Sequence, residues 1–332
     1  MFAYFDSGTS NSRLYLIKDG TIIDSIRKAV GSKDCSIARD NGILLKGLKE
    51  IYDELLEKNG LCDGDINEIY ASGMVTSPYG IKEVPHLDIP IDLNGLCKSI
   101  YTHYEEMFFK RNINLIRGLR DVPGKNVTIE NIFDVNSMRG EETEIFGILK
   151  YLGEKVKNKA LAIFMPGSHT QITYVKNGQI LDFVSTISGE LFYAISRNTI
   201  VSSSIETTMT EYDENMVRHA YNVLKKYGFN KAIYLINTMR IFDIADNFAR
   251  TSFLEGAIVG GDILCFEKYV NEKWHDIEFA VIYADRGMAE VYRALIKALD
   301  DKISTLTVYK SEVNCSVEGF LEILRARNTN WR

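Results

Sequence analysis

Two short turns rich in glycine and hydroxyl side chains stand out in this chain of 332 residues. The first is Asp6-Ser7-Gly8-Thr9-Ser10-Asn11-Ser12-Arg13. Glycine lets backbone come close to a phosphate, while hydroxyls and backbone N–H groups donate to its oxygens. Asp6 can hold magnesium through water, because that ion keeps most of its hydration shell and prefers oxygen ligands. Arg13 can steady the turn or approach phosphate. Alone, the segment also fits an ordinary polar hairpin. The second turn, Pro166-Gly167-Ser168-His169-Thr170, changes the weighing. Two such turns on facing lobes would clamp a polyphosphate from both sides: Gly8, Thr9, Ser10 and Arg13 on one, Gly167, Ser168, His169 and Thr170 on the other. A third group, Glu141-Glu142-Thr143, opens a helical stretch. A helix N-terminus favours the ionised form of a carboxylate, which would keep a general base available near neutral pH. The same two glutamates also fit a purely electrostatic role in a first turn.

The elements that must position these groups form an internal repeat. Ala3-Tyr4-Phe5-Asp6-Ser7-Gly8-Thr9 recurs loosely as Ala162-Ile163-Phe164-Met165-Pro166-Gly167-Ser168. Each copy runs on into a β-rich stretch, Leu14 to Ile17 and Ile172 to Val175, then into Lys18-Asp19-Gly20 and Lys176-Asn177-Gly178. Asp-Gly and Asn-Gly are strong hairpin signals, since both central positions of such turns take positive φ. Third strands follow at 21–23 and 179–181, giving two three-stranded meanders. Because Gly8 aligns with Gly167, Asp6 falls opposite Met165, and only the first turn offers a carboxylate to a metal. Apolar spacing predicts helices over 43–58, 141–152, 214–227, 251–270 and 287–299, and strands at 66–72, 113–116, 231–236, 279–283 and 305–308. Strands alternating with helices in both halves indicate an α/β protein of two lobes facing a cleft. The expected division is 1–135, 136–315 and a C-terminal helix over 316–332 packing back on the N-terminal lobe.

Composition narrows the class. The chain is 45% hydrophobic and 25% charged, an ordinary globular balance with room for substantial cores. Its net charge of -6 gives no general attraction for a nucleic-acid backbone. Five scattered cysteines sit at no metal-ligand spacing and suggest no disulfide framework. No signal peptide or membrane-spanning run is visible, so a cytoplasmic location is expected.

Several blocks together resemble the 2-dehydro-3-deoxygalactonokinases, within the actin-like ATPase and sugar-kinase superfamily. They are Ser72-Gly73-Met74-Val75-Thr76-Ser77, Gly80-Ile81-Lys82-Glu83-Val84-Pro85, Ser137-Met138-Arg139-Gly140-Glu141-Glu142-Thr143, Met165 to Thr170, Ser188-Gly189-Glu190-Leu191, Asn237-Thr238-Met239-Arg240 and Phe253 to Gly260. The blocks keep family order from residue 6 to about 320. Ser7, Ile81 and His86 stand where the family usually has Trp, Trp and Tyr, and the last two fall in the segment expected to line the sugar site.

The resemblance implies a two-lobed ribonuclease H-like fold, ATP and magnesium as cofactors, and a sugar hydroxyl as nucleophile. It places the catalytic carboxylates at Glu142, Glu141 and Asp6, with Asp6 and Glu142 near the metal. Taking about 100° per residue, Glu141 and Glu142 flank opposite edges of the face set by Ile145, Ile148, Leu149 and Leu152, whereas Thr143 and Glu144 point further away. Geometry thus admits both glutamates. Glu142 is favoured as base because it directly precedes Thr143, as a catalytic Asp precedes Thr in hexokinases. The carboxylate of a 2-keto-3-deoxy sugar acid would be met by Arg139 or by N–H groups around Gly73 and Met74, its hydroxyls by Ser77, Glu83 and His86. Superfamily members place an adenosine loop at a position matching Tyr283 to Ala289, with Gly287 as its one glycine. Gly260-Gly261-Asp262 is a second such segment, better read as helix packing. The implied reaction is phosphorylation of 2-dehydro-3-deoxy-D-galactonate at its terminal hydroxyl, with the lobes closing over substrate and a homodimer as an open assembly. Competing readings are an exopolyphosphatase-like phosphohydrolase and a non-catalytic sugar or nucleotide sensor.

Overall fold

The computed structural model describes residues 1–122, 126–300 and 302–327. The chain divides into two compact units, one of residues 1–153 with 315–332 and one of residues 154–314. The division falls after Gly153 rather than at 135, because the helix Glu141–Leu152 packs on elements of the first unit. The C-terminal helix runs over Cys315–Arg327. The rest of the expected 316–332 segment lies outside the described residues.

In the first unit, six strands order as Thr21–Lys28, Ser12–Lys18, Phe2–Ser7, Glu68–Gly73, Arg111–Leu115 and Tyr101–Glu105. The meander turns at Asp19 and Gly20, whose φ values of 49° and 75° are those the Asp-Gly pair implied. Leu44, Leu48, Ile51 and Leu55 of the helix Gly42–Lys58 are each at most 2% exposed and cover this sheet. Each such side chain contributes about 1.5–3 kcal/mol when fully buried. A small sheet of Leu87–Asp88, Leu119–Asp121 and Asn136–Met138 lies in the same unit and leads directly into Arg139.

The second unit repeats the meander as Ala160–Met165, Thr170–Lys176 and Gln179–Thr186, turning at Asn177 and Gly178. Parallel strands Phe279–Ala284 and Ser304–Tyr309 extend the sheet beside Ala160–Met165. The helix Asn247–Glu272 is buried along most of its length and starts at Asp246, whose carboxylate accepts from the Ala249 N–H at 2.8 Å. Gly260 does serve helix packing: a side-chain carbon there would lie 2.8 Å from Leu224 Cδ2 and 3.0 Å from Tyr221 Cδ2.

One expected strand is a helix. Residues 231–236 lie within Phe229–Ile241. In a strand, Ala232, Tyr234 and Ile236 would share a face, yet Ala232 and Ile236 are fully buried and Tyr234 is 58% exposed. Ala232, Ile236 and Met239 form the helical stripe instead. The apolar run of β-formers concealed that period. Among the described residues, no helix is long and apolar enough to cross a membrane.

Candidate active site

In the first unit, two parallel strands end side by side, with Asp6 paired to Ser72 and Ser7 to Gly73. Gly73 has φ of 83°, and a side-chain carbon on it would lie 2.4 Å from the Ser7 carbonyl oxygen, so only glycine fits. Gly140, with φ of 111°, brings the N-terminus of the helix Glu141–Leu152 onto Gly73; a side-chain carbon at Gly140 would sit 3.3 Å from the Gly73 Cα. Three chain segments therefore meet at one point, carrying Asp6, Gly73 and Glu142.

Glu142 is fully buried. Its Oε2 accepts from the Gly140 N–H at 2.7 Å, while Oε1 is buried without a partner. Burial, and then repulsion from Glu141, push its carboxyl up to about 8. The expected dominance of the helix N-terminus is overturned here, because desolvation outweighs the backbone hydrogen bonding that favours the ionised form. Thr143 is likewise a correction, since it is fully buried rather than turned away. A side-chain carbon at Gly319 of the C-terminal helix would lie only 1.8 Å from the Thr143 carbonyl oxygen. Glu141 is partly exposed and accepts from the Arg139 N–H at 3.1 Å.

Arg139 is half-buried. Its Nη1 donates to Thr76 Oγ1 at 2.7 Å and to the Val84 carbonyl at 3.2 Å, and its Nη2 lies 3.5 Å from His86 Nδ1. Thr76 Oγ1 in turn donates to the Gly73 carbonyl at 3.0 Å. Burial, then Arg139, Arg120 and Arg117, push His86 down to about 4, so the ring is neutral and can accept from a guanidinium. The structure thus gathers Gly73, His86, Arg139 and Glu142. Met74 is partly buried in the short turn Met74–Thr76, and Glu83 is exposed. Ser77 is buried, its hydroxyl oxygen accepting from the Tyr79 N–H at 3.3 Å within its own turn.

The first turn is built on Ser7 and Ser12, whose hydroxyls lie 2.8 Å apart, with Ser12 donating to the Val30 carbonyl. Gly8 donates to the Asn11 carbonyl at 2.9 Å, and Arg13 Nη1 stands 3.6 Å from Asp6. The next helix caps this turn from behind. Ser32 and Lys33 donate backbone N–H groups to the carbonyls of Gly8 and Thr9 at 3.4 and 2.9 Å. Gly8 and Ser10 stay exposed.

The second turn, within the second unit, is built the same way. Glu190 donates its N–H to the Ser168 carbonyl at 3.0 Å, and a side-chain carbon at Gly189 would lie 2.1 Å from the Gly167 carbonyl oxygen. Gly167, Ser168 and His169 are exposed, whereas Thr170 is buried with Oγ1 3.2 Å from Tyr292 Oη. Thr170 therefore supports the turn from below. Lys310 Nζ donates to the Pro166 carbonyl at 3.0 Å and brings a cation that the sequence did not single out. Beside the turn lies a cavity of about 190 Å³ lined by Phe192, Ile258, Val259, Met288 and the carboxyl of Glu255, among others. Glu255 is 4% exposed and pushed up to about 8, by burial above all. Gly287 is buried against the Thr210 carbonyl, 2.2 Å from where its side-chain carbon would be, so packing accounts for this glycine. Thr76 and Glu255 were not singled out in the sequence as site residues, and Asp262 was noted only within Gly260-Gly261-Asp262, read as helix packing. Glu255 and Asp262 interrupt the apolar stretch 253–264 of the helix Asn247–Glu272, and that was the available signal.

Among the described residues, no cluster of three or more His, Cys, Asp and Glu side chains forms a ready metal site.

The 2-keto-3-deoxy-galactonokinase family model matches residues 6–320. DgoK1 of Rhizobium meliloti (strain 1021), assigned as a 2-dehydro-3-deoxygalactonokinase, is 25% identical over 205 residues, which cover 61% of this chain and 59% of that relative. The 2-dehydro-3-deoxygalactonokinase of Escherichia coli (strain K12) is 21% identical over 271 residues, 80% of each chain. A crystal structure from Sinorhizobium meliloti, of a protein assigned to the same activity, superposes with a TM-score of 0.75 at 18% identity, covering 100% of this chain and 99% of that one. The (R)-2-hydroxyglutaryl-CoA dehydratase component A of Acidaminococcus fermentans gives a TM-score of 0.50 at 12% identity, covering 98% and 99%. At such identities these structures speak for the fold, that of the actin-like ATPases and sugar kinases.

Proposed function

The chain belongs to the 2-keto-3-deoxy-galactonokinase family, and on that premise we propose that it transfers a phosphoryl group from ATP to the terminal hydroxyl of 2-dehydro-3-deoxy-D-galactonate. The observation that carries this reading is the orphaned Oε1 of Glu142, buried beside Gly73 and Gly140. A buried carboxyl oxygen without a partner costs about 1–3 kcal/mol, and a substrate hydroxyl donating to it removes that cost. Glu142 then takes the hydroxyl proton as the oxygen attacks. A carboxyl with its proton affinity raised toward the working pH is the stronger base, provided enough of it is ionised. Arg139, with no carboxylate within ion-pair distance among the described residues, takes the sugar acid's carboxylate while Thr76 and neutral His86 fix its plane.

On the donor side, the exposed second turn, Gly167 to His169, receives the phosphates, with Lys310 adding positive charge. The apolar cavity beside Gly167 takes the nucleoside. Asp6 would hold magnesium through water, and Glu142 keeps the proton role rather than the metal. When bound, the ion neutralises charge on the transferring phosphoryl group. The partners of this reaction are small molecules, with neither nucleic acid nor membrane required, and the same reading places the enzyme in the cytoplasm.

The test is ATP consumption over a panel of 2-keto-3-deoxy sugar acids of defined stereochemistry. Magnesium-dependent ADP formation that requires such an acid, with the galactonate-derived form preferred, is expected. Equal turnover of glucose would defeat the sugar-acid assignment, and phosphate release from polyphosphate would point to the hydrolase instead.

A further inference from the structure

A second buried acid lies under the second turn. Asp262, on the helix Asn247–Glu272, is 1% exposed, and no cation lies within ion-pair distance of it among the described residues. It collects hydroxyls instead. Its Oδ1 accepts from Ser188 Oγ at 2.5 Å and from Thr186 Oγ1 at 2.6 Å, and its Oδ2 accepts from Tyr292 Oη at 2.5 Å. Because Tyr292 spends its proton on Asp262, its oxygen is left to accept from Thr170 Oγ1 at 3.2 Å.

These four hydroxyls belong to the parts that shape the turn. Thr170 closes it, and Thr186 is its cross-strand partner. Ser188 opens the helix whose next residues, Gly189 and Glu190, touch the carbonyls of Gly167 and Ser168. Tyr292 comes from the helix Arg286–Leu299, which also supplies Met288 to the neighbouring cavity. Burying a carboxylate without a cation is unfavourable unless hydrogen bonds compensate it fully. Here all the compensation comes from groups that set the spacing between the turn and the helix behind it.

We propose that Asp262 is the positioning residue of the second turn, fixing Gly167 and Ser168 at the distance from Ser188 that phosphate binding requires. The proposal rests on the reading that this turn receives the phosphates of ATP. Asp262 does not touch the nucleotide. Its action runs through Ser188 on one side and through Tyr292 and Thr170 on the other.

The experiment measures the KM for ATP, the KM for the sugar acid and Tm in Asp262→Asn, Ser188→Ala and their double variant. Asp262→Asn should raise the KM for ATP by at least about tenfold while moving the KM for the sugar acid by less than about threefold. The double variant should be no worse than the more damaging single change, because both break one network. A fall in Tm with the KM for ATP unchanged would overturn the proposal, as would effects of the two single changes that multiply. If Asp262→Asn does not fold, Ser188→Ala and Thr186→Val remove single donors and test the same network with milder changes. Gly167→Val separates the two levels: if it also leaves the KM for ATP unchanged, the phosphate reading of the turn fails. If it alone raises that KM, the turn binds phosphate and Asp262 does not position it.

Discussion

Each unit carries a glycine-hydroxyl turn pinned by the helix that follows its meander, and each keeps a carboxyl at no more than 1% exposure near that turn. The two carboxyls are treated oppositely. Asp262 is surrounded by three hydroxyl donors. Glu142 has one backbone donor and a bare oxygen. A buried acid with partners on both of its oxygens is finished as structure. An unsaturated one is held at a cost and gains by meeting a ligand. The same contrast separates Asp6 from Met165, which occupy equivalent places in the repeat: the first is partly exposed beside Arg13, the second is buried in the sheet. Duplication supplied two similar frames, and the chemistry resides where the copies differ.

The largest effect should come from the unsaturated acid. Glu142→Gln is expected to lower kcat by at least about a hundredfold while leaving ATP affinity near wild type. Its Tm should hold or rise, because an acid that is costly to ionise has been replaced by a neutral group. Near-normal kcat in this variant, with loss in Glu141→Gln, would assign the base to the neighbouring residue. Normal kcat in both would reduce the helix to a support and erase the contrast with Asp262.

A smaller effect is expected at Asp6. Asp6→Asn should lose roughly tenfold or more in rate at limiting magnesium and regain part of it as magnesium is raised, whereas Met165→Leu should leave the magnesium dependence unchanged. An unaltered magnesium titration in Asp6→Asn would remove the metal role from the first turn.

The smallest effect concerns stability against pH. Burial lifts Glu255 from the ordinary carboxyl range to about 8, so the folded state holds its proton more tightly than the unfolded chain. Stability from that proton is fully present below the unfolded value and is lost as pH rises through about 8. Wild-type Tm should therefore fall between pH 5 and pH 9, and Glu255→Gln should flatten the fall by a few degrees, an order of magnitude set by the usual coupling of Tm to free energy. A slope identical in both proteins would show that Glu255 is not neutral in the fold.

Much of this was legible in the residues. The Asp-Gly and Asn-Gly pairs fixed both meanders because their turn conformations need no tertiary partner, and helix 141–152 matched because its apolar period is local. The misread segment at 231–236 shows the limit: a short run of Ala, Ile, Tyr and Leu satisfies a strand pattern, and only burial tells the two apart. The roles of Thr76, Glu255 and Asp262 were hidden for a different reason. Each matters through partners between 30 and 76 residues away, such as Arg139 for Thr76 and Thr186 for Asp262, and no spacing rule reaches that far. The proton affinity of Glu142 was misjudged for the same cause, since the helix start is visible locally while the burial that outweighs it is not.

The close seat of Gly319 against Thr143 and of Gly147 against the Cys315 carbonyl has a consequence for how the protein is made. The polypeptide leaves its first unit at Gly153 and rejoins it only at Cys315. On the ribosome, the segment with Asp6, Gly73 and Glu142 therefore emerges long before the helix that backs Glu142, and the whole second unit must be synthesised in between. Domains that are continuous in sequence can fold as they emerge; this one is held open until the helix Cys315–Arg327 has been made. Tyr4 waits equally long, since its hydroxyl bonds Ser316 at 2.8 Å and its ring stacks on Phe320 at 4.1 Å. A nascent chain stalled before residue 315 would thus carry the acid-bearing helix with its rear face bare, a natural substrate for chaperones and proteases, and only the arrival of Cys315–Arg327 closes that face.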